Sequence, residues 1–508
     1  MGLMFQIFSS SVLTLRDIYP NLPLTLSHVS RAWRDLVVNA PTLWTYIKVS
    51  QALHTNTIGL QKNTAYVEMV LARSGTCSLA VYLDFRTIHR HHNAPFYGPH
   101  FPAFCHRVRH LAFLVSQHAW RITHFTLVVD EFETTSAALG PFGSVSMPLL
   151  ERWSVRNLND FHVFEVRASF FPDGHEMDAH PVLLSPSRST ECVALYPNLR
   201  HVNLQSTALY WTDFSPCNLV TLNIGMLSHE CRPALRHLLD ILRASASTLK
   251  TLSLAGCLIN DPGQFEEVLL PSLQYLDIGF TAAEEPLPFL QAVQFSALMI
   301  FELTDIRRKK MNPREQASAA FDTGISALLD LIKARVASET LGTMRLHHIS
   351  LIPPQLLMPQ PNLAEPLLTL EARDALECVR KYAARFFAHW SNLRYLALEG
   401  ADRSTLESLD CVTPRTMEKH GTTEPRVPVP ALTILELKNC AASIITPFVY
   451  RRLETRHQMI YKLSTLCLSM PKAWSPGIPW AQCGLAQRVL RTENQLLTPE
   501  SQELLLQV

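Results

Sequence analysis

The sequence predicts an α/β chain, in which a small N-terminal helical module precedes a solenoid with a parallel sheet on its concave side and helices and loops on its convex side. Three observations predict it. The first fifty residues carry apolar side chains at helical spacing. The pattern apolar-x-x-apolar-x-apolar then recurs along most of the chain. In two of its copies a cysteine follows the last leucine by three residues, Cys257 after Leu254 and Cys440 after Leu437.

Residues 1–50 come first. Leu26, Val29, Trp33, Leu36 and Val37 fall on one face of a 3.6-residue helix, and Asn39-Ala40-Pro41 stops it, because proline disfavours the helical conformation at the residue before it. A second apolar unit, Leu43-Trp44-Tyr46-Ile47, follows, and Met4-Phe5-Ile7-Phe8 offers another face upstream. Two or three small helices of this size hold too little core to stand alone, so a partner or a neighbouring domain is expected to cover them.

Residues 51–107 predict a helix at Ala65 to Leu71, an alternating strand at Leu79-Val81-Leu83-Phe85 as the first rung, and a loop rich in histidine and proline.

The repeats are expected over 108–470. Their motifs are Val108-Leu111-Phe113, Ile122-Phe125-Leu127, Leu150-Trp153-Val155, Leu199-Val202-Leu204, Leu219-Leu222-Ile224, Leu249-Leu252-Leu254, Leu273-Leu276-Ile278, Leu298-Phe301-Leu303, Leu341-Met344-Leu346, Leu393-Leu396-Leu398, Leu432-Leu435-Leu437 and Leu463-Leu466-Leu468. The last two apolar residues of each lie two apart and share one face of a strand, while the first anchors the turn before it. Between repeats, Pro233 to Ala246, Ile325 to Val336 and Leu370 to Phe387 change to helical period. A helical-solenoid reading stays open for the flanks. The tail, 471–508, is expected to cap the far end, as solenoid ends require.

Strand positions between the paired apolar residues face the concave side. Asn203, Asn223, Ser253, Asp277, Glu302, Ala397 and Glu436 sit there, and all but Ala397 are the expected target contacts. Truncating Leu254 or Leu276 is expected to cost about 2–5 kcal/mol as a core change, and altering Asn223 or Glu436 almost nothing.

Composition narrows the function classes. The chain has 508 residues, 47% of them hydrophobic, and a net charge of +1, so no attraction to nucleic acid is expected. No apolar run is long enough to span a bilayer, and the first residues lack a signal-peptide pattern, since Gln6, Ser9 to Ser11 and Arg16 interrupt it. Eleven scattered cysteines without a C-x-x-C pair suit reduced thiols in the cytoplasm, the nucleus or both. The run Arg307-Arg308-Lys309-Lys310 reads as a solvated loop.

A search for chemistry finds no phosphate-binding glycine loop and no nucleophile elbow. His175 and His180 are separated by five positions, not the four of a helical zinc pair. His89, His91, His92, His100, Cys105 and His106 match no zinc spacing and read as a surface loop marked by Pro95, Gly98, Pro99 and Pro102. Neither a catalytic residue, nor a metal, nor a cofactor is expected.

The block VSRAWRDL followed by APTLWTYI resembles the second half of the F-box in the form common in fungal F-box proteins, and Leu3 to Phe8 is similar to the end of its first helix. The L-x-x-L-x-L motif, seen in PNLRHVNL, PSLQYLDI and SNLRYLAL, resembles the leucine-rich repeat, in a degenerate array of the kind those proteins carry. The family's opening Leu-Pro pair is absent, so the resemblance implies an N-terminally short module. It further implies a substrate-recognition subunit of a Skp-cullin-F-box ubiquitin ligase. In that role Ile7, Phe8, Leu26, Val29, Trp33, Leu36, Leu43 and Trp44 hold a Skp-type adaptor of the cullin-RING ligase, and the repeats hold a protein target. The alternative is a non-catalytic repeat scaffold with a truncated or vestigial F-box. No membrane partner is implied by either.

Overall fold

In the computed structural model the chain divides into two compact units, Met1–Thr251 and Leu252–Val508. The structure describes residues 22–50, 57–86, 101–143, 145–158, 195–207, 209, 211–212, 214, 216–310, 324–349, 351, 380–401, 403–409, 413–414, 425–426, 429, 431–440, 463–469 and 486–491. Ile7, Phe8, His89, His91, His92, His100, His175 and His180 lie outside them.

The first unit opens with two short helices, α1 (Leu22–Ser27) and α2 (Arg31–Val38), where the apolar stripe predicts one. Ser30 makes the break. Its backbone is extended and its hydroxyl accepts from the Trp33 amide at 3.2 Å, the geometry of a helix N-cap. Leu26 and Val29 therefore precede α2, joined by a turn in which the Val29 amide donates to the Leu26 carbonyl. The predicted stop holds, as Asn39 caps the helix and its side-chain amide donates to the Asp35 carbonyl at 2.8 Å.

Beyond Asn39 the expected all-helical module is corrected. Pro41–Trp44 is a 3-10 turn, and Tyr46–Ser50 is a strand, β1. It pairs in parallel with β2 (Leu79–Asp84), across α3 (Thr57–Ser74), so the module runs directly into the sheet and β2 is the second rung. The sheet of this unit continues in chain order through β3 (Ile122–Val129), β4 (Arg152–Asn157), β5 (His201–Gln205) and β6 (Thr221–Gly225), all parallel. Arg121, wholly buried, fastens α3 to it. The guanidinium donates to the Ser74 hydroxyl at 3.0 Å and to the carbonyls of Cys77 and Leu71, answering acceptors that the end of a helix leaves open.

The strand expected at Val108-Leu111-Phe113 is instead part of helix α4 (Phe101–Ser116), which also takes Cys105 and His106 out of the predicted loop. Val108, Leu111, Ala112 and Val115 are buried at helical spacing, whereas Phe113, the residue a strand would turn inward, is 51% exposed. Helix α5 (Phe132–Leu139) follows β3 and ends in the 3-10 turn Gly140–Phe142, whose Phe142 ring meets Phe125 edge-on at 4.9 Å. Helix α6 (Leu235–Ala244) lies inside its predicted span and buries Leu235, Leu238, Leu239, Ile241 and Leu242.

The second unit contains β7 (Thr251–Ala255) from its second residue on, β8 (Val268–Leu270), β9 (Tyr275–Phe280), β10 (Val293–Phe295), β11 (Ile300–Asp305), β12 (Thr343–His347), β13 (Tyr395–Glu399), β14 (Thr413–Pro414), β15 (Pro425–Arg426), β16 (Ile434–Lys438), β17 (Leu463–Ser469) and β18 (Ala486–Arg491). Its sheet runs β7-β9-β11-β12-β13-β16-β17-β18. Strands β8 and β10 pair with each other in parallel, and β14 with β15 antiparallel. Helix α7 (Gly324–Arg335) matches the expected Ile325 to Val336, and α8, described over 380–388, overlaps the end of the expected Leu370 to Phe387 and runs one residue past it. Strand β18 corrects the tail: part of 471–508 is a further rung paired with β17.

Every predicted motif from Phe125-Leu127 to Leu466-Leu468 is thus a strand of a parallel sheet. The paired apolar residues whose side chains are described form the core, with Leu222, Leu252, Leu254, Leu276, Ile278, Phe301 and Leu303 all fully buried.

A common corner closes many rungs. The residue after the strand takes a positive φ at Ser206, Met226, Gly256, His348, Gly400 and Asn439. The amides of Ser206, Gly256, His348 and Gly400 then donate to a carbonyl at the end of the neighbouring strand, the last one (Gly225, Glu399, Lys438) or the last but one (Gly279), at 2.7–2.9 Å. The next residue is buried, and this is the slot of Cys257 and Cys440. Thr207, Leu227, Ile349 and Ala401 fill it elsewhere, so the slot selects burial more than a thiol. Thr207 and Cys440 also donate back to the carbonyl two residues earlier.

Candidate functional site

Parallel pairing, regular apart from one register shift at Leu79/Ala80 between β2 and β3, places residues of equal rank side by side, so the face opposite the leucine core is a set of rows. In the first unit the central row is Lys48, Tyr82, Thr126, Ser154, Asn203 and Asn223. It is half-buried, hydroxyl- and amide-rich, and its only charged member, Lys48, lies 5.5 Å over the Tyr82 ring. The amide oxygens of Asn203 and Asn223 are shielded and accept no hydrogen bond. The row beside it holds His124, Arg152, His201 and Thr221. His201 Nδ1 is 3.1 Å from the Thr221 hydroxyl, and burial, with Arg152 and His124 alongside, lowers the pKa of His201 below its ordinary value.

In the second unit the rows are charged. Asp277, Glu302, Arg345, Ala397, Glu436 and Cys467 stand in one register, and Gly279, Thr304, His347, Glu399, Lys438 and Ser469 in the next. Glu302 accepts from the Tyr275 hydroxyl at 3.0 Å and from Arg345 Nη1 at 3.0 Å. His347 lies between two carboxylates. Its Nδ1 is 2.8 Å from Glu399 Oε2, and its Nε2 is 3.1 Å from Glu302 Oε1, a charge contact lacking the alignment of a hydrogen bond. Glu399 also accepts from the Asn439 side chain at 2.8 Å and has Lys438 at 3.6 Å. The Tyr395 hydroxyl donates to Glu436 Oε2, while Glu436 Oε1 is shielded without a hydrogen bond. The Ser253 hydroxyl donates to Asp277 at 2.7 Å.

Acidities follow from these contacts. Burial alone would push His347 down, but the contacts with Glu302 and Glu399 and their charges raise it to about 9, so it is an imidazolium near neutral pH. Glu302 is held down at about 2 against the cost of its burial by His347 and Arg345. Glu399 is likewise held well below the carboxylate range against burial by His347, His348 and Lys438. Asp277 goes the other way, pushed up to about 6 by burial and by the Glu302 charge.

This arrangement is a clamp across strands. Glu302, Arg345, His347 and Glu399 answer one another's charges within the unit, and Arg345, His347, Glu399 and Glu436 are all buried. Glu436, expected as an open target contact, is only 1% exposed, and Ala397 is buried as well. Ser253, Asp277 and Glu302 are engaged with their own neighbours. Of the predicted target residues, Asn203 and Asn223 are half-buried in a row free of carboxylates, with their amide oxygens shielded.

Sequence reasoning missed Arg345, His347, Tyr395 and Glu399. The signal was positional. Arg345 occupies the slot between paired apolar residues, and His347 and Glu399 follow the second apolar residue of their motifs, so both point to the same face as that slot.

The predicted adaptor contacts divide. Leu43 and Trp44 are each 2% exposed, packed within the unit, and so do not form a surface. Val29 is 58% exposed, and Leu26, Trp33 and Leu36 are half-buried.

Among the described residues no group of three or more His, Cys, Asp or Glu is placed to hold a metal ion, and no helix is long and apolar enough to cross a membrane. The described cysteines are free thiols. No family model matches the chain, and no curated protein matches it significantly.

Proposed function

We propose that this chain is a non-catalytic substrate-recognition subunit of a Skp-cullin-F-box ubiquitin ligase, with the N-terminal helices holding a Skp-type adaptor and the leucine-rich repeats a protein target. One observation carries the reading. The VSRAWRDL block is a capped helix entered from an exposed Val29, with Trp33 and Leu36 half-buried on it, and the PTLW turn fixes this helix to the first strand of the repeat sheet. The described repeats then supply a long, regular face with no catalytic constellation on it. Catalysis in the assembly would come from proximity, the target being held near a ubiquitin-charged enzyme.

A second reading, a repeat scaffold outside any ligase, draws support from the burial of Leu43 and Trp44, which leaves less apolar surface for an adaptor. A pull-down of the purified chain with a Skp-type adaptor separates the two. The ligase reading expects capture by wild type and loss in Val29→Glu, a substitution at an exposed position that leaves the melting temperature unchanged. Absence of capture by folded wild type would establish the scaffold.

A further inference from the structure

Away from the strand face, the first unit has an open groove of about 490 Å³ lined by His106, Arg109, His110 and Phe113 of α4 and by Gly140 and Pro141 of the 3-10 turn after α5. The four α4 residues recur at i, i+3, i+4 and i+7 and form one stripe on the side of the helix opposite its buried Val108-Leu111-Val115 face. All four are exposed, Phe113 to 51% despite its size, and among the described residues none of the three basic side chains has an ion-pair partner.

We propose that this groove is a docking site for an acidic peptide segment of a partner protein, with carboxylates along the His106-Arg109-His110 edge and an apolar side chain against Phe113 and Pro141. Arg109 is a cation with no ion-pair partner among the described residues, and the imidazoles of His106 and His110 beside it can donate hydrogen bonds, so the edge selects an anionic occupant. The aromatic and proline walls select an occupant with an apolar side chain between its charges, which a free inorganic anion lacks. The concave shape and the small number of cations suit a few residues of extended chain, whereas a polyphosphate strand draws its affinity from many phosphate contacts. This inference does not rest on the ligase reading, because the groove lies on the helical side and shares no residue with the N-terminal helices or the strand rows.

Gly140 provides a clean obstruction. Its backbone is right-handed helical, and a Cβ built on it meets nothing within 4 Å, so Gly140→Leu fills the groove without straining the fold. The test is fluorescence anisotropy with a fluorescein-labelled peptide in which glutamates flank a central phenylalanine, compared with the same peptide carrying glutamine for glutamate. Saturable binding of the glutamate peptide to the full chain is expected. It should weaken by about fivefold to tenfold for the glutamine peptide and for Arg109→Glu, the size of a charge-paired contact, and should be lost in Gly140→Leu. Circular dichroism melts matching wild type confirm that both variants fold. Absence of saturable binding, equal binding of the two peptides, binding untouched by both variants, or preferential binding of an oligothymidylate competitor would each overturn the proposal.

Discussion

Trp44 donates its indole N–H to the carbonyl of Val37 at 2.8 Å, and the Arg73 guanidinium lies 4.4 Å from the centroid of the same ring. One side chain thus joins the end of α2, the PTLW turn and α3. A tryptophan that the resemblance assigns to an adaptor is an internal fastening. Trp44→Ala should therefore destabilise the first unit by about 3–5 kcal/mol, the range for losing a buried aromatic, whereas Val29→Ala should stay within about 0.5 kcal/mol of wild type. Urea denaturation of both variants checks this, and equal stability of the two would return Trp44 to the surface.

His347 gives the second unit a pH signature. Its pKa is raised from 6.5 to about 9 on folding, so its stabilising contribution is complete below 6.5 and disappears as the pH rises through 9. Glu302, lowered from 4.5 to about 2, contributes above 4.5 and loses that contribution as the pH falls towards 2. Asp277 opposes it, since a carboxyl raised from 3.8 to about 6 weakens the fold as the pH rises through that interval. Denaturation midpoints of wild type are expected to decline between pH 6.5 and 9, and His347→Gln should flatten that decline. An unchanged slope in the variant would remove His347 as its source.

The Tyr395 hydroxyl is the hydrogen-bond donor to Glu436, whose other oxygen is already unanswered. Tyr395→Phe keeps the ring and removes the donor. The expected cost is about 1–3 kcal/mol, the penalty for stranding a buried acceptor, and changing Glu436 carries a cost of its own instead of the near-neutral effect its strand position suggests. Thermal melts read it, and a neutral Tyr395→Phe would show that water reaches Glu436.

The alternation along a rung predicts a sharp contrast. Leu254→Ala removes a fully buried side chain and should cost about 2–5 kcal/mol, while Asn223→Ala removes an amide whose oxygen accepts no hydrogen bond and should be close to neutral. Similar losses in the two variants would mean that the faces have been exchanged.

The rungs were legible because burial imposes the same arithmetic on each of them: two inward side chains two residues apart, and an anchor three residues earlier. The same arithmetic misled at Val108-Leu111-Phe113. The first two of those residues also satisfy helical spacing, and only the third distinguishes strand from helix. In the structure Val115 is buried and Phe113 is not. The break at Ser30 was hidden for a related reason, as a serine inside an apolar stripe can be either a helix surface position or the cap of a new helix. The ion-pair clamp was harder to foresee. Its members lie on strands whose neighbours are up to some fifty residues apart in the chain, and the insertions between them conceal that Glu302, Arg345 and Glu436 occupy one row.

The positive-φ corners have a consequence for how this chain can change. Each of the bonded corners passes register to the neighbouring strand through a hydrogen bond at the strand's end, independently of how many residues intervene. Ser206 reaches Gly225 and His348 reaches Glu399 with the same geometry, although the second span is much the longer. Chain length is therefore free between rungs and fixed within them. A segment inserted after a corner lengthens a loop, but a single residue inserted between Leu435 and Leu437 would turn the strand's interior outward. A scan of random insertions should accordingly trace the ladder as a series of short intolerant windows, each ending at its corner.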